Sequence, residues 1–181
     1  MPRKIQRYGW IPDLPDHRDF FYAAPIPTLR ALPTSIDLSP QCPPVYDQGQ
    51  LGSCTGNAIA GAIHFDRLKQ NIQPDFIPSR LFIYYNERDM EGTVGTDSGG
   101  QIRDGIKSVA AQGVCPEDPP PPDWSYDISQ FAAKPPADWL SSRAPAHNQG
   151  LFQVAPGPHP NERMLGLWLP VRFWLHRLRE L

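Results

Sequence analysis

Between Tyr46 and Asp66 the chain reads YDQGQLGSCTGNAIAGAIHFD, so that Cys54 follows Gln48 by six residues and opens a run of small residues. A free thiol titrates near about 8.5 and needs help to act as a nucleophile at neutral pH. The first turn of a helix supplies part of that help, because unpaired N–H groups and the helix dipole favour the thiolate. The same amides can donate to an oxyanion when the sulfur attacks a carbonyl. A second donor is available in the Gln48 carboxamide, brought round by Gly49 and Gly52. Preorganised donors of this kind are worth roughly 3–4 kcal/mol each in acyl transfer. A lone cysteine at a helix start reads more simply as a small buried residue. Glutamine, two glycines and a small-residue helix together favour the nucleophile.

The elements that must hold these groups are legible from periodicity. Ala58, Ile59, Ala62, Ile63 and Phe65 fall mostly at helical spacing after Cys54, and Gly56, Ala58, Ala60, Gly61 and Ala62 keep that helix thin, as suits a central one. A second helix is predicted from Ser79 to about Asp89, with Leu81, Phe82 and Tyr85 on one face. GTVGTDSGG then turns into a third helix over Gln101–Gln112, with Ile102, Ile106 and Val109 inward and Gly113 as its stop. Gly99 and Gly100 on their own suit an ordinary turn leading into that helix. PEDPPPPDW is a rigid connector.

Three segments follow: an extended arm at 1–33, a helical domain at 34–136, and a divergent tail at 137–181. The arm is rich in Pro and Asp and reads as solvated. Its Asp13, Asp16, His17 and Asp19 lack the glycine and spaced oxygens of a calcium loop. In the tail, Arg143–Leu181 holds five arginines but no lysine, aspartate or tyrosine, and prolines interrupt each apolar run.

Composition narrows the classes. The 181 residues suit one domain, or one and a fragment, and the formal net charge of −2 argues neither for a nucleic-acid partner nor for an acidic-substrate binder, so no nucleic acid is expected. The 23 prolines imply many irregular connections. No run nears the roughly 20 apolar residues that span a bilayer, and no signal segment opens the chain. Cys42, Cys54 and Cys115 make an odd number, which favours free thiols in a reducing, cytoplasmic compartment. Neither a metal site nor a cofactor is expected.

QGQLGSCTGNA resembles the signature around the nucleophile of papain-like cysteine peptidases. LPTSIDLSP resembles the start of their mature domain, DSGGQIRDGIKSVAAQGVCPE the glycine pair and helix that line their cleft, and WSYD the aromatic turn beyond it. The resemblance runs over roughly residues 32 to 136, and GWIPDLPDHRD is similar to the amino-terminal arm of a microbial branch. It implies an α+β fold whose helical left-hand half is present here and whose β-rich right-hand half is largely missing. It also implies Cys54 as nucleophile, Gln48 as oxyanion donor, and Gly99, Gly100 and Ser98 as substrate-binding residues, with a peptide or protein as substrate. The family's disulfide joins a cysteine three places before the nucleophile to one two places before the glycine pair. Those positions are Leu51 and Asp97 here, and Thr55 replaces an aromatic residue after the nucleophile.

A cysteine peptidase also needs an imidazole and a group to orient it. Both are expected about 130–150 residues beyond the nucleophile, from near position 184. His147, His159 and His176 lack the family's flanking pattern. His64 lies ten residues along the Cys54 helix, too far from the thiol, and is expected at the surface. Reading permissible codons for 161–181 one nucleotide later yields a glycine- and phenylalanine-rich string similar to the family's strand region. The expectation is a frameshift between Lys134 and Gly150. A rival reading takes GLWLPVRFWLHRLREL as a membrane-surface segment. The sequence therefore points to a papain-like peptidase acting through a Cys54 acyl-enzyme, inactive or nearly so as this chain. The alternatives are a non-catalytic peptide-binding module and a thiol acyltransferase completed by a partner.

Overall fold

A computed structural model describes residues 8–17, 33, 35–118 and 125–136. The readings of the tail at 137–181, including His147, His159 and His176, lie outside the described residues.

Three helices packed on one another carry the fold. The first, α1, spans Cys54–Lys69, and every residue from Cys54 to Phe65 is buried. A helix buried on all sides belongs in a core, which explains why its residues are small. Ile59 and Ile63 on α1 meet Ile83, Ile102, Ile106 and Val109 from the other two helices.

The second helix, α2, spans Arg80–Glu91. It begins where the Ser79 hydroxyl accepts from the Phe82 N–H at 3.2 Å and ends at Gly92, whose φ of 70° is left-handed. The third, α3, spans Ile102–Gln112, buries Ile102, Ile106 and Val109, and stops at Gly113. The second and third helices lie within two residues of their predicted spans, and the first opens at Cys54 as expected. Among the described residues the strands are short: β1 is Trp10–Ile11 and β2 is Gly100–Gln101. They pair in parallel, Trp10 opposite Gly100 and Ile11 opposite Gln101. A 3-10 turn at Ile128–Gln130 precedes Phe131, which packs with Tyr126 against Leu51, Leu81, Phe82, Tyr84 and Cys115.

Three expectations change. The arm is not simply solvated: Gly9 is buried, and β1 lies on the glycine edge. On α2 both faces are buried from Arg80 to Arg88, not only the one with Leu81, Phe82 and Tyr85. Its two buried arginines tolerate this because they are bonded. The Arg88 guanidinium donates to the carbonyls of Tyr84, Val94, Thr96 and Phe131. Arg80 forms a two-pronged pair with Glu117, at 2.6 and 2.7 Å. Last, His64 is not at the surface. It is 6% exposed, with Nδ1 2.6 Å from the Tyr46 hydroxyl and Nε2 3.0 Å from Asp75.

Among the described residues no helix is long and apolar enough to cross a membrane.

Candidate active site

Cys54 is the first residue of α1, as the sequence predicts, but its sulfur is covered by the arm. It is 1% exposed. Burial pushes the thiol up to about 11, against backbone N–H groups of Gly9, Trp10 and Thr55 that draw it down. The helix start therefore does help the thiolate, through Thr55, yet desolvation outweighs it. The sulfur sits under backbone amides rather than among hydrocarbon side chains alone.

The covering is backbone on backbone. Gly100 N–H donates to the Gly9 carbonyl at 2.9 Å. A side chain on Gly9 would place its first carbon 1.6 Å from the Gly52 carbonyl oxygen, and one on Gly99 would lie 1.9 Å from the Gly9 oxygen. Only glycine fits at either point, and Gly99 also has a left-handed φ of +79°. Asp13 fastens the arm beyond β1: its carboxylate accepts from the Arg103 N–H at 2.9 Å, serving as a cap for α3 that Gln101 does not provide.

Gln48 is fully buried beside this loop. Its side-chain amide donates to the Leu51 carbonyl at 2.9 Å, and its Oε1 has no hydrogen-bond partner among the described residues. A carboxamide nitrogen carries two hydrogens, so the bond to Leu51 engages one of them. The Gln48 carbonyl accepts from the Tyr126 hydroxyl at 3.1 Å. That phenol also lies 2.5 Å from the Ser53 hydroxyl, and Asn57 donates to the Ser53 carbonyl at 2.9 Å. Arg80 stacks over Tyr126 at 3.7 Å and donates to the Asp47 carbonyl at 3.0 Å, closing a frame around residues 47–54.

Of the predicted substrate-binding residues, Gly99 and Gly100 meet the arm as just described. Ser98 turns back on its own loop, its hydroxyl lying 2.9 Å from Thr93 Oγ1 and donating to the Gly99 carbonyl at 3.1 Å. Neither described histidine bonds to Cys54; His64 is held by Tyr46 and Asp75, and His17 lies beside Asp16. Among the described residues no cluster of His, Cys, Asp or Glu could hold a metal ion.

Sequence reasoning missed four residues that shape the site. Tyr126 was visible only as part of the WSYD turn, and Arg80 only as a position inside the predicted second helix. Asp97 carried a signal in its position two places before the glycine pair. Glu87, 0% exposed with its Oε1 accepting the Thr55 hydroxyl, carried none.

No protein-family model matches the chain. An uncharacterized peptidase C1-like protein of Acanthamoeba polyphaga mimivirus is 39% identical over 149 residues, which cover 74% of this chain and 47% of the viral protein. The chain thus spans about half the length of that relative. Among solved structures, xylellain, a cysteine protease from Xylella fastidiosa, is 44% identical, with a TM-score of 0.64 over 82% of this chain and 58% of the protease.

Proposed function

The chain belongs to the papain-like cysteine peptidase family over the stretch it shares with these relatives, and on that footing we propose that Cys54 is the nucleophile of a peptide-bond hydrolase whose cleft is closed by its own arm. In the open form the thiolate attacks a peptide carbonyl. The Cys54 amide and the free N–H of Gln48 receive the oxyanion, the amine leaves with a proton, and water releases the acyl group. Gly99 and Gly100 pair with the substrate backbone, and Ser98 shapes the loop that presents them.

The observation that carries this reading is the arm itself. An extended segment crosses the sulfur with its backbone bonded to Gly100, in the manner an extended peptide would need. The imidazole that takes and returns the proton must come from outside the described residues. Without one, turnover falls by about 10²–10⁴-fold. None of Cys42, Cys54 and Cys115 is in a disulfide, which suits a reducing, cytoplasmic setting.

The same occupied cleft favours a second reading, a peptide-binding module without chemistry. Cleavage of a fluorogenic dipeptide amide separates the two. Slow turnover that Cys54→Ala abolishes supports the hydrolase. Saturable binding of the dipeptide amide with no cleavage and no covalent adduct at Cys54 supports the binding module instead.

A further inference from the structure

Asp97 joins three parts of the site that are far apart in sequence. Both of its carboxylate oxygens lie 3.0 Å from the Gly52 nitrogen, two residues before Cys54. Its Oδ1 also accepts from the Tyr84 hydroxyl on α2 at 2.5 Å. The Tyr84 oxygen in turn accepts from the Gly99 N–H at 3.1 Å. One carboxylate therefore ties the loop before the thiol to α2 directly, and to the glycine edge through a buried phenol. Tyr84 is fully buried, and burial together with the Asp97 hydrogen bond keeps its proton in place for this purpose. Contact is close: a side chain on Gly52 would begin 3.0 Å from Asp97 Oδ1.

We propose that Asp97 is a positioning residue, whose carboxylate holds residues 51–54 and the Gly99–Gly100 edge at a fixed spacing. It does by hydrogen bonds what a covalent bridge between positions 51 and 97 would do, and it does so without needing an oxidising compartment. A carboxylate gripping a backbone N–H is a charge-assisted bond, stronger than a neutral one. If the clamp is lost, the Gly52 carbonyl shifts under Gly9, the arm loses its seat, and water reaches the sulfur. The inference rests on the hydrolase reading only in its consequence for catalysis; the clamp is measurable apart from any turnover.

The test uses the full chain with Asp97→Ala and with the pair Leu51→Cys and Asp97→Cys, oxidised and reduced. Amide exchange at Gly52 and the pH profile of Cys54 alkylation by iodoacetamide are followed by mass spectrometry and NMR. In Asp97→Ala, exchange at Gly52 rises at least tenfold while α1 amides stay protected, and the alkylation midpoint falls from about 11 toward the ordinary thiol value. The oxidised double-cysteine chain restores both readouts, and reductant removes the restoration. A folded Asp97→Ala chain with unchanged Gly52 exchange and an unchanged midpoint overturns the proposal. If Asp97→Ala does not fold, the double-cysteine chain decides: a bridge that forms and restores both readouts supports the clamp, and one that fails to form or to restore them overturns it. Failure of the hydrolase reading would show separately, as an absence of acyl transfer to Cys54 with the clamp intact.

Discussion

Burial lifts the Cys54 thiol to about 11, while the amides of Gly9, Trp10 and Thr55 pull the other way. The balance depends on Gly9, because its bare backbone is what allows the arm to lie on Gly52. Gly9→Val should expel the arm and admit water. We expect the alkylation midpoint to drop toward ~8.5 and the rate at pH 8 to rise about two-hundredfold, following the thiolate fraction. An unchanged midpoint would mean that the arm does not govern the thiol. Glu87 lies beneath the same helix start. Burial holds its carboxyl well above the ordinary 4.5, against the Thr55 hydroxyl bond, with Glu91 and Asp104 adding to the rise and Arg88 opposing it. The unfolded chain releases this proton at its normal pKa, so folding stability is full below about 4.5 and falls as pH rises through the folded pKa. The loss is up to ~1.4 kcal/mol per pH unit. Glu87→Gln should flatten the decline in melting temperature as pH rises above about 4.5; a slope equal to the parent's would show that Glu87 is ionised in the fold.

The three helices could be read directly, because apolar spacing, Ser79 and the glycines at 92 and 113 mark their bodies and ends. The pairing of β1 with β2 could not. It involves two residues on each side, too few to impose a period, and rests on missing side chains at Gly9 and Gly99. Burial of Glu87, Arg88 and His64 was equally hidden, since each is a type that usually faces water and is buried here only through bonds made across the fold. The site divides in the same way. Cys54 at its helix start and the nearness of Gln48 follow from local spacing, whereas Asp97 and Tyr126 act through contacts between distant segments. Glycine on α3 illustrates the cost of such contacts. In an isolated helix Gly105→Ala would be favourable by about 1 kcal/mol. Here the added carbon would stand 2.4 Å from Ile59 Cδ1 and 2.7 Å from Glu87 Oε2. Overpacking of this kind destabilises by about 1–3 kcal/mol, so chemical denaturation should show a net loss. A gain would mean that α3 is packed more loosely against α1.

Residues 125–136 return to the helices, and the Arg80–Glu117 pair fastens residues 114–118 to the loop before Cys54. Arg80 reaches Glu117, the Asp47 carbonyl and Asn57, and lies between Tyr46 and Tyr126. Removing one partner leaves a buried charge, at about 3–5 kcal/mol. Glu117→Gln should therefore lower stability by that order and expose Tyr126 to solvent quenching; a change below ~1 kcal/mol would mean that water already screens the pair. The relation between arm, thiol and cleft is open to a more direct measurement. The full chain, its Gly9→Val form and its Cys54→Ala form would each be treated with a dipeptide nitrophenyl ester and weighed intact. The account predicts a single acyl adduct mapped to Cys54, formed faster in Gly9→Val and absent in Cys54→Ala. Equal acylation of Cys42 or Cys115, or no adduct at Cys54 once the arm is expelled, would contradict it.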